Sequence, residues 1–204
     1  VFMLRGSSEI GRIDLSSRFS RSIGDAVSAV AEKAFAHMPV AALLNNRILA
    51  VHSALPPKIT SLRTLSSIHR PLYSLAPQSP VWHCLLGSPR ICMENKEDPF
   101  LDDIAEVLGL DLIIRSHNPL ENGYIMLGKR VLSLWSSPGR GGSAAGASAF
   151  IESSKSIVQI TMMAAFGVLN RERKDLPNLG EEVWEKKKKT PPSAESSEKI
   201  DRVK

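Results

Sequence analysis

Two short apolar runs, each ending in a histidine, constrain this chain more than any other feature. One is Ile48-Leu49-Ala50-Val51-His52, the other Asp111-Leu112-Ile113-Ile114-Arg115-Ser116-His117. A run of that length and composition is expected to form a buried strand. The histidine after it then stands at a sheet edge, where loops assemble sites. Two such ends can converge on one cation, because neutral imidazole is a common metal ligand. Each histidine alone equally suits a strand end capped by a backbone hydrogen bond, and spacing leaves both readings open.

The remaining periodicity predicts a mixed α/β chain. Ile23, Val27, Val30, Ala31 and Ala34 fall at helical spacing over Ser22 to Phe35. Val40–Leu44 and Arg47–Val51 suit a hairpin around Asn45-Asn46, a good turn pair. Leu62, Leu65 and Ile68 share one face of a helix over Ser61–Ile68. Asp98-Pro99 opens an amphipathic helix over Leu101–Leu108. Strands are expected at 111–115, 124–127, 131–136, 147–152 and 157–163. This order suits two sheets flanked by helices. From about Asn170 the pattern fails, so residues 1–169 are read as the domain and 170–204 as a disordered, polar, Lys-rich tail.

Segments in register with those runs resemble the metal-dependent serine/threonine protein phosphatases (the phosphoprotein phosphatases, type one and type 2A). Val1 to Glu9, VFMLRGSSE, is similar to the family's FLLRGNHE. Met38 to Leu43 followed by Ile48 to His52 is similar to LPIAA…KIFCCHGG. Ile68-His69-Arg70-Pro71 matches IxRP, and Leu110 to His117, LDLIIRSH, matches LDLICRAH. Glu121-Asn122-Gly123-Tyr124 is similar to EDGY, and Lys129 to Pro138 to KRQLVTLFSAP. The matches keep their order over roughly residues 1–165, which makes them far more specific than any one of them alone.

The resemblance implies a metallophosphatase-like fold, a two-sheet β sandwich flanked by helices. It also implies that His52 and His117 are the two histidine ligands of one divalent metal (manganese, iron or zinc), and that Arg90 lies where a phosphate-binding arginine falls. Guanidinium geometry suits a phosphate clamp, although a solvated loop arginine is an equally good account of Arg90. The family's GDxHG and GDxVDRG motifs, which supply the carboxylates and first histidine of a two-metal centre, have no counterpart in these 204 residues, so a fragment with the N-terminal half missing is expected. The family's Asn and His in GNHE are Ser7 and Ser8 here. The Asn is a metal ligand and the His protonates the leaving alcohol, a role no serine hydroxyl fills near pH 7. Ser53 and Ala54 replace two glycines, and Gly139 to Ala144 replace a loop that carries a tyrosine and an acidic residue. The expectation is a catalytically impaired homologue with weak metal binding or none, acting on a phosphoprotein or regulatory partner. The alternative is an active phosphoserine/phosphothreonine phosphatase whose N-terminal half is not in this chain.

Charge narrows the other classes. The net charge of +5 is spread along the chain, +3 over residues 1–169 and +2 over 170–204. A nucleic-acid binder concentrates charge on one face or arm. Only Lys186–Lys189 is dense, which makes a nucleic-acid role the least supported. No stretch reaches the ~18 apolar residues of a membrane span. Cys84 and Cys92 do not form a CxxC pair and suit free thiols of an intracellular protein of the cytoplasm or nucleus.

Overall fold

Asn45 and Asn46 hold the left-handed φ values of 53° and 54° that a tight hairpin turn requires, and Arg47 N closes the turn on Leu44 O at 3.0 Å. The turn joins β1 (Ala41–Leu44) to β2 (Ile48–Val51), antiparallel, with Leu44 opposite Ile48. β2 lies parallel to β3 (Leu112–Arg115), Ile48 opposite Leu112. A second hairpin pairs β4 (Tyr124–Leu127) with β5 (Val131–Leu134), and β5 runs parallel beside β3. The five-stranded sheet therefore has the order β1-β2-β3-β5-β4. A parallel pair needs a long crossover. The segment between β2 and β3 carries α2 (Arg63–Ser66), α3 (Pro80–Leu86) and α4 (Pro99–Val107), while α1 (Arg21–His37) precedes β1. The computed structural model describes residues 2–11, 20–87, 99–141, 143, 145–152, 157–164 and 167–175.

Side-chain alternation along the strands sorts residues to two faces. Leu49, Val51, Ile113 and Val131 pack with Leu65, Cys84, Leu85, Ile104 and Leu110 in a core beneath the helices. Their neighbours Ile48, Leu112 and Leu132 pack on the opposite face against Ala147 of β6 (Gly146–Glu152). β6 belongs to a second sheet with β7 (Ile157–Ala164) and β8 (Gly167–Asp175), ordered β6-β7-β8 and antiparallel throughout. The fold is thus mixed α/β, with helices on one face of the larger sheet and a strand of a second sheet on the other. Both faces of β2, β3 and β5 are covered, which explains why their sequences are continuous apolar runs and not alternating ones.

Four elements differ from the sequence expectation. The helix expected over 61–68 is the single turn α2. α3 was not expected. Its signal is the Ser79-Pro80 pair: the Ser79 hydroxyl accepts from Trp82 N at 3.2 Å, and proline occupies the first turn, where its missing N–H costs nothing. The apolar stripe of α1 faces outward, with Ile23 53% and Val30 69% exposed. The helix instead buries Gly24, Ser28 and Ala36, small residues that let it approach closely. Finally, β8 runs through the boundary expected at 169/170. Its ladder with β7 pairs main-chain groups, Ile157 opposite Asp175 and Ile160 opposite Glu172, so a polar sequence is no obstacle. Charged residues are usual on edge strands. The rest of the expected tail, Lys186–Lys189 included, lies outside the described residues. Among the described residues, no helix is long and apolar enough to cross a membrane.

Candidate functional site

Because β2 and β3 are parallel and in register, both histidine-bearing ends emerge at the same edge of the sheet. The ladder continues one step beyond the strands, Ser116 N donating to His52 O at 3.0 Å. Carboxyl ends of strands in open α/β sheets are where sites form. His117 then takes a left-handed φ of 78°. That conformation is uncommon for a residue with a side chain and recurs at functional loops. The two imidazoles meet edge to face, with ring centroids 5.0 Å apart and His52 Nε2 3.0 Å from His117 Nδ1. Ser7 Oγ lies 3.2 Å from the same His52 Nε2.

Ser7 comes from a 3₁₀ turn, Ser7–Glu9, that is tied down on both sides. Arg5 N donates to Pro39 O at 2.8 Å. The buried Arg5 guanidinium donates to Glu9 O at 3.1 Å and to Leu72 O at 2.9 Å. Gly6 N donates to the Glu9 carboxylate at 2.7 Å. A Cβ on Gly6 would lie 2.7 Å from that carboxylate and 3.1 Å from His52 Cε1, so glycine is what allows the turn to approach the ring. Ser8, on the same turn, is exposed.

Behind the histidines sits Arg115, only 2% exposed. Its guanidinium donates to Ser53 O at 2.9 Å, to Ser116 O at 2.9 Å and to Ser133 Oγ at 3.4 Å. It thereby ties the residue after His52 to the residue before His117. Ser53 N in turn donates to Cys84 O at 2.9 Å, and its hydroxyl donates to Gly87 O, which locks the same loop onto α3. Burial pulls the Arg115 guanidinium down to about 10. Burial, then the His117 ring, then the Arg115 charge hold His52 down at about 4. Burial and then Arg115 lower His117 as well. Both rings are therefore neutral at pH 7. One carries the proton between them and the other accepts it.

Of the residues singled out from sequence, His52 and His117 are brought together, Ser7 joins them, and Ser8 stands exposed. Arg90 lies outside the described residues. Sequence reasoning gave no role to Arg115 or Arg5. The signal for Arg115 was present, a cation inside an otherwise apolar strand run, since a charge is rarely buried unless something holds it.

The resemblance implies a two-metal centre, and the donors here do not fit one. Among the described residues there is no group of three or more His, Cys, Asp and Glu side chains placed to hold a metal. Two divalent cations would face two neutral imidazoles, one hydroxyl and a buried guanidinium, with no carboxylate to balance them.

Comparison with known proteins agrees with this fold and site. No protein-family model matches the chain. An uncharacterized protein of Caenorhabditis elegans is 26% identical over 126 residues, 56% of this chain and 33% of its own length. A serine/threonine-protein phosphatase of the same organism is 28% identical over 111 residues, 50% of this chain and 24% of its own. The chain thus spans a third or less of these curated relatives. Among solved structures, a serine/threonine phosphatase of Saccharomyces cerevisiae with similarity to human phosphatase PP5 superposes with a TM-score of 0.52 at 16% identity, covering 88% of this chain and 62% of that one. That likeness defines the fold as that of a metallophosphatase. With the sequence relatives, it supports a divergent region of the serine/threonine phosphatase family.

Proposed function

We propose that this chain is a catalytically impaired phosphatase homologue that binds a phosphoprotein or regulatory partner and does not hydrolyse phosphate esters. The observation that carries this reading is the Ser7–Glu9 turn. Where the resemblance calls for a metal-binding amide and a proton-donating imidazole, the turn presents two serines, Ser7 against His52 and Ser8 exposed. A positioned general acid is worth ~10²–10⁴ in rate, and a serine hydroxyl cannot replace it near neutral pH. The mismatch of the donor set with a two-cation centre removes the second source of acceleration.

The test is hydrolysis of phosphopeptides and of p-nitrophenyl phosphate by the 204-residue chain with manganese present. No turnover is expected. Ser7→Asn with Ser8→His, in a chimera carrying the N-terminal half of an active relative, should recover it. Robust hydrolysis by the unmodified chain, abolished by His117→Ala, would overturn the reading. It would favour instead an active phosphatase of which this is one region, a reading supported by the convergence of His52 and His117.

A further inference from the structure

We infer that Ser7, His52 and His117 form a site for one imidazole-preferring cation of the zinc class, with manganese and magnesium disfavoured. The inference concerns the same site as the impaired-phosphatase reading and rests on its mismatch with a two-metal centre. Three donor atoms converge from three separate segments: His52 Nε2 lies 3.0 Å from His117 Nδ1 and 3.2 Å from Ser7 Oγ. Zinc binds imidazole nitrogen at ~2.0–2.1 Å, and three protein ligands plus an open position form a common zinc geometry. A tetrahedral angle at that bond length sets two ligand nitrogens about 3.3–3.4 Å apart, so the rings need to open by only about 0.3 Å.

The identity of the donors selects the ion. Imidazole nitrogen suits zinc, copper and nickel, whereas manganese and magnesium favour carboxylate, carbonyl and water oxygen. No described carboxylate joins the cluster. Glu9, the nearest acid on the Ser7 turn, spends its carboxylate on Gly6 N. The scaffold is already fixed without an ion. The Gly6 approach, the Ser116–His52 ladder bond and the Arg115 fork hold the three donors in place.

Loading a cation also implies a defined proton rearrangement. Without an ion, one of the two facing nitrogens carries the hydrogen that the other accepts. For both lone pairs to point at a cation, that hydrogen must move through solvent to the far nitrogen of the same ring. The tautomer changes, and no net proton is released.

Two measurements test this on the intact 204-residue chain after chelation and dialysis. Calorimetric titration should give one zinc per chain, bound at least about tenfold more tightly than manganese. His52→Ala and His117→Ala should each weaken zinc by at least about tenfold, the usual scale for losing one of three ligands. Two-bond ¹H–¹⁵N spectra of the unmodified chain should show one of the two rings switching tautomer on adding zinc chloride and not on adding magnesium chloride. This second readout stands even where an alanine variant fails to fold. Manganese bound as tightly as zinc, two ions per chain, zinc binding indifferent to both histidines, or no zinc uptake at about 100 µM would each overturn the inference. A phosphatase assay on the same samples separates the two claims. Zinc uptake with turnover keeps the site and overturns the impaired reading; no uptake and no turnover does the reverse.

Discussion

Replacing Arg115 by leucine removes the fork that joins the two histidine loops. Its guanidinium makes two short hydrogen bonds, to Ser53 O and Ser116 O, each at 2.9 Å, and a longer one to Ser133 Oγ at 3.4 Å. Leucine leaves two carbonyls at a buried position without their donor, at about 1–3 kcal/mol each. Removing a buried charge and adding apolar contact returns about 1–2 kcal/mol of that. The net expectation is a loss of roughly 2–4 kcal/mol, which for a chain of this size lowers Tm by about 5–15 °C. Arg115→Lys keeps the charge but not the planar fork, and should fall between leucine and wild type. Differential scanning calorimetry measures the Tm, and an NMR titration of His52 Cε1 adds a local readout. Because the Arg115 charge helps to hold His52 low, its removal should raise the His52 pKa. An Arg115→Leu protein melting within about 1 °C of wild type, with His52 titrating unchanged, would refute the reasoning.

Acid should destabilise the fold through His52. The folded ring titrates near 4 against an ordinary value of 6.5. Between those values the unfolded chain takes a proton that the folded chain refuses, so stability falls as pH drops through that window. Urea melts at stepped pH should show the slope, and His52→Gln should flatten it. Asp102→Ala should cost about 1–3 kcal/mol in the same melts, because its carboxylate accepts from Lys129 N and Arg130 N at 2.8–3.0 Å and anchors α4 to the β4–β5 turn. Ser28→Ala should be neutral or stabilising by up to about 1 kcal/mol, since its hydroxyl is buried on α1 without a hydrogen-bond partner. A clear loss of stability there would mean that this hydroxyl has a partner after all.

Much of the larger sheet was legible because its cause is local. Continuous apolar runs at 48–51 and 112–114 are buried strands whatever surrounds them, and Asn45-Asn46 readily takes the positive φ its hairpin needs. The family motifs also carried His52 and His117 as a pair, since order and spacing survive in sequence. What tertiary structure alone decided is direction and distance. Periodicity showed that α1 has an apolar stripe, but only packing shows that Gly24 and Ser28 face the fold and Val30 faces out. Composition could not anticipate β8, because an edge ladder is made of main-chain groups that every residue carries. Nor could it place Ser7 against His52, which depends on Gly6 having no Cβ and on Arg5 reaching Leu72 across the fold. Arg115 is the plainest case. The sequence shows a charge in an apolar run, whereas its hydrogen bonds to Ser53 and Ser116 exist only because parallel register brings the ends of β2 and β3 together.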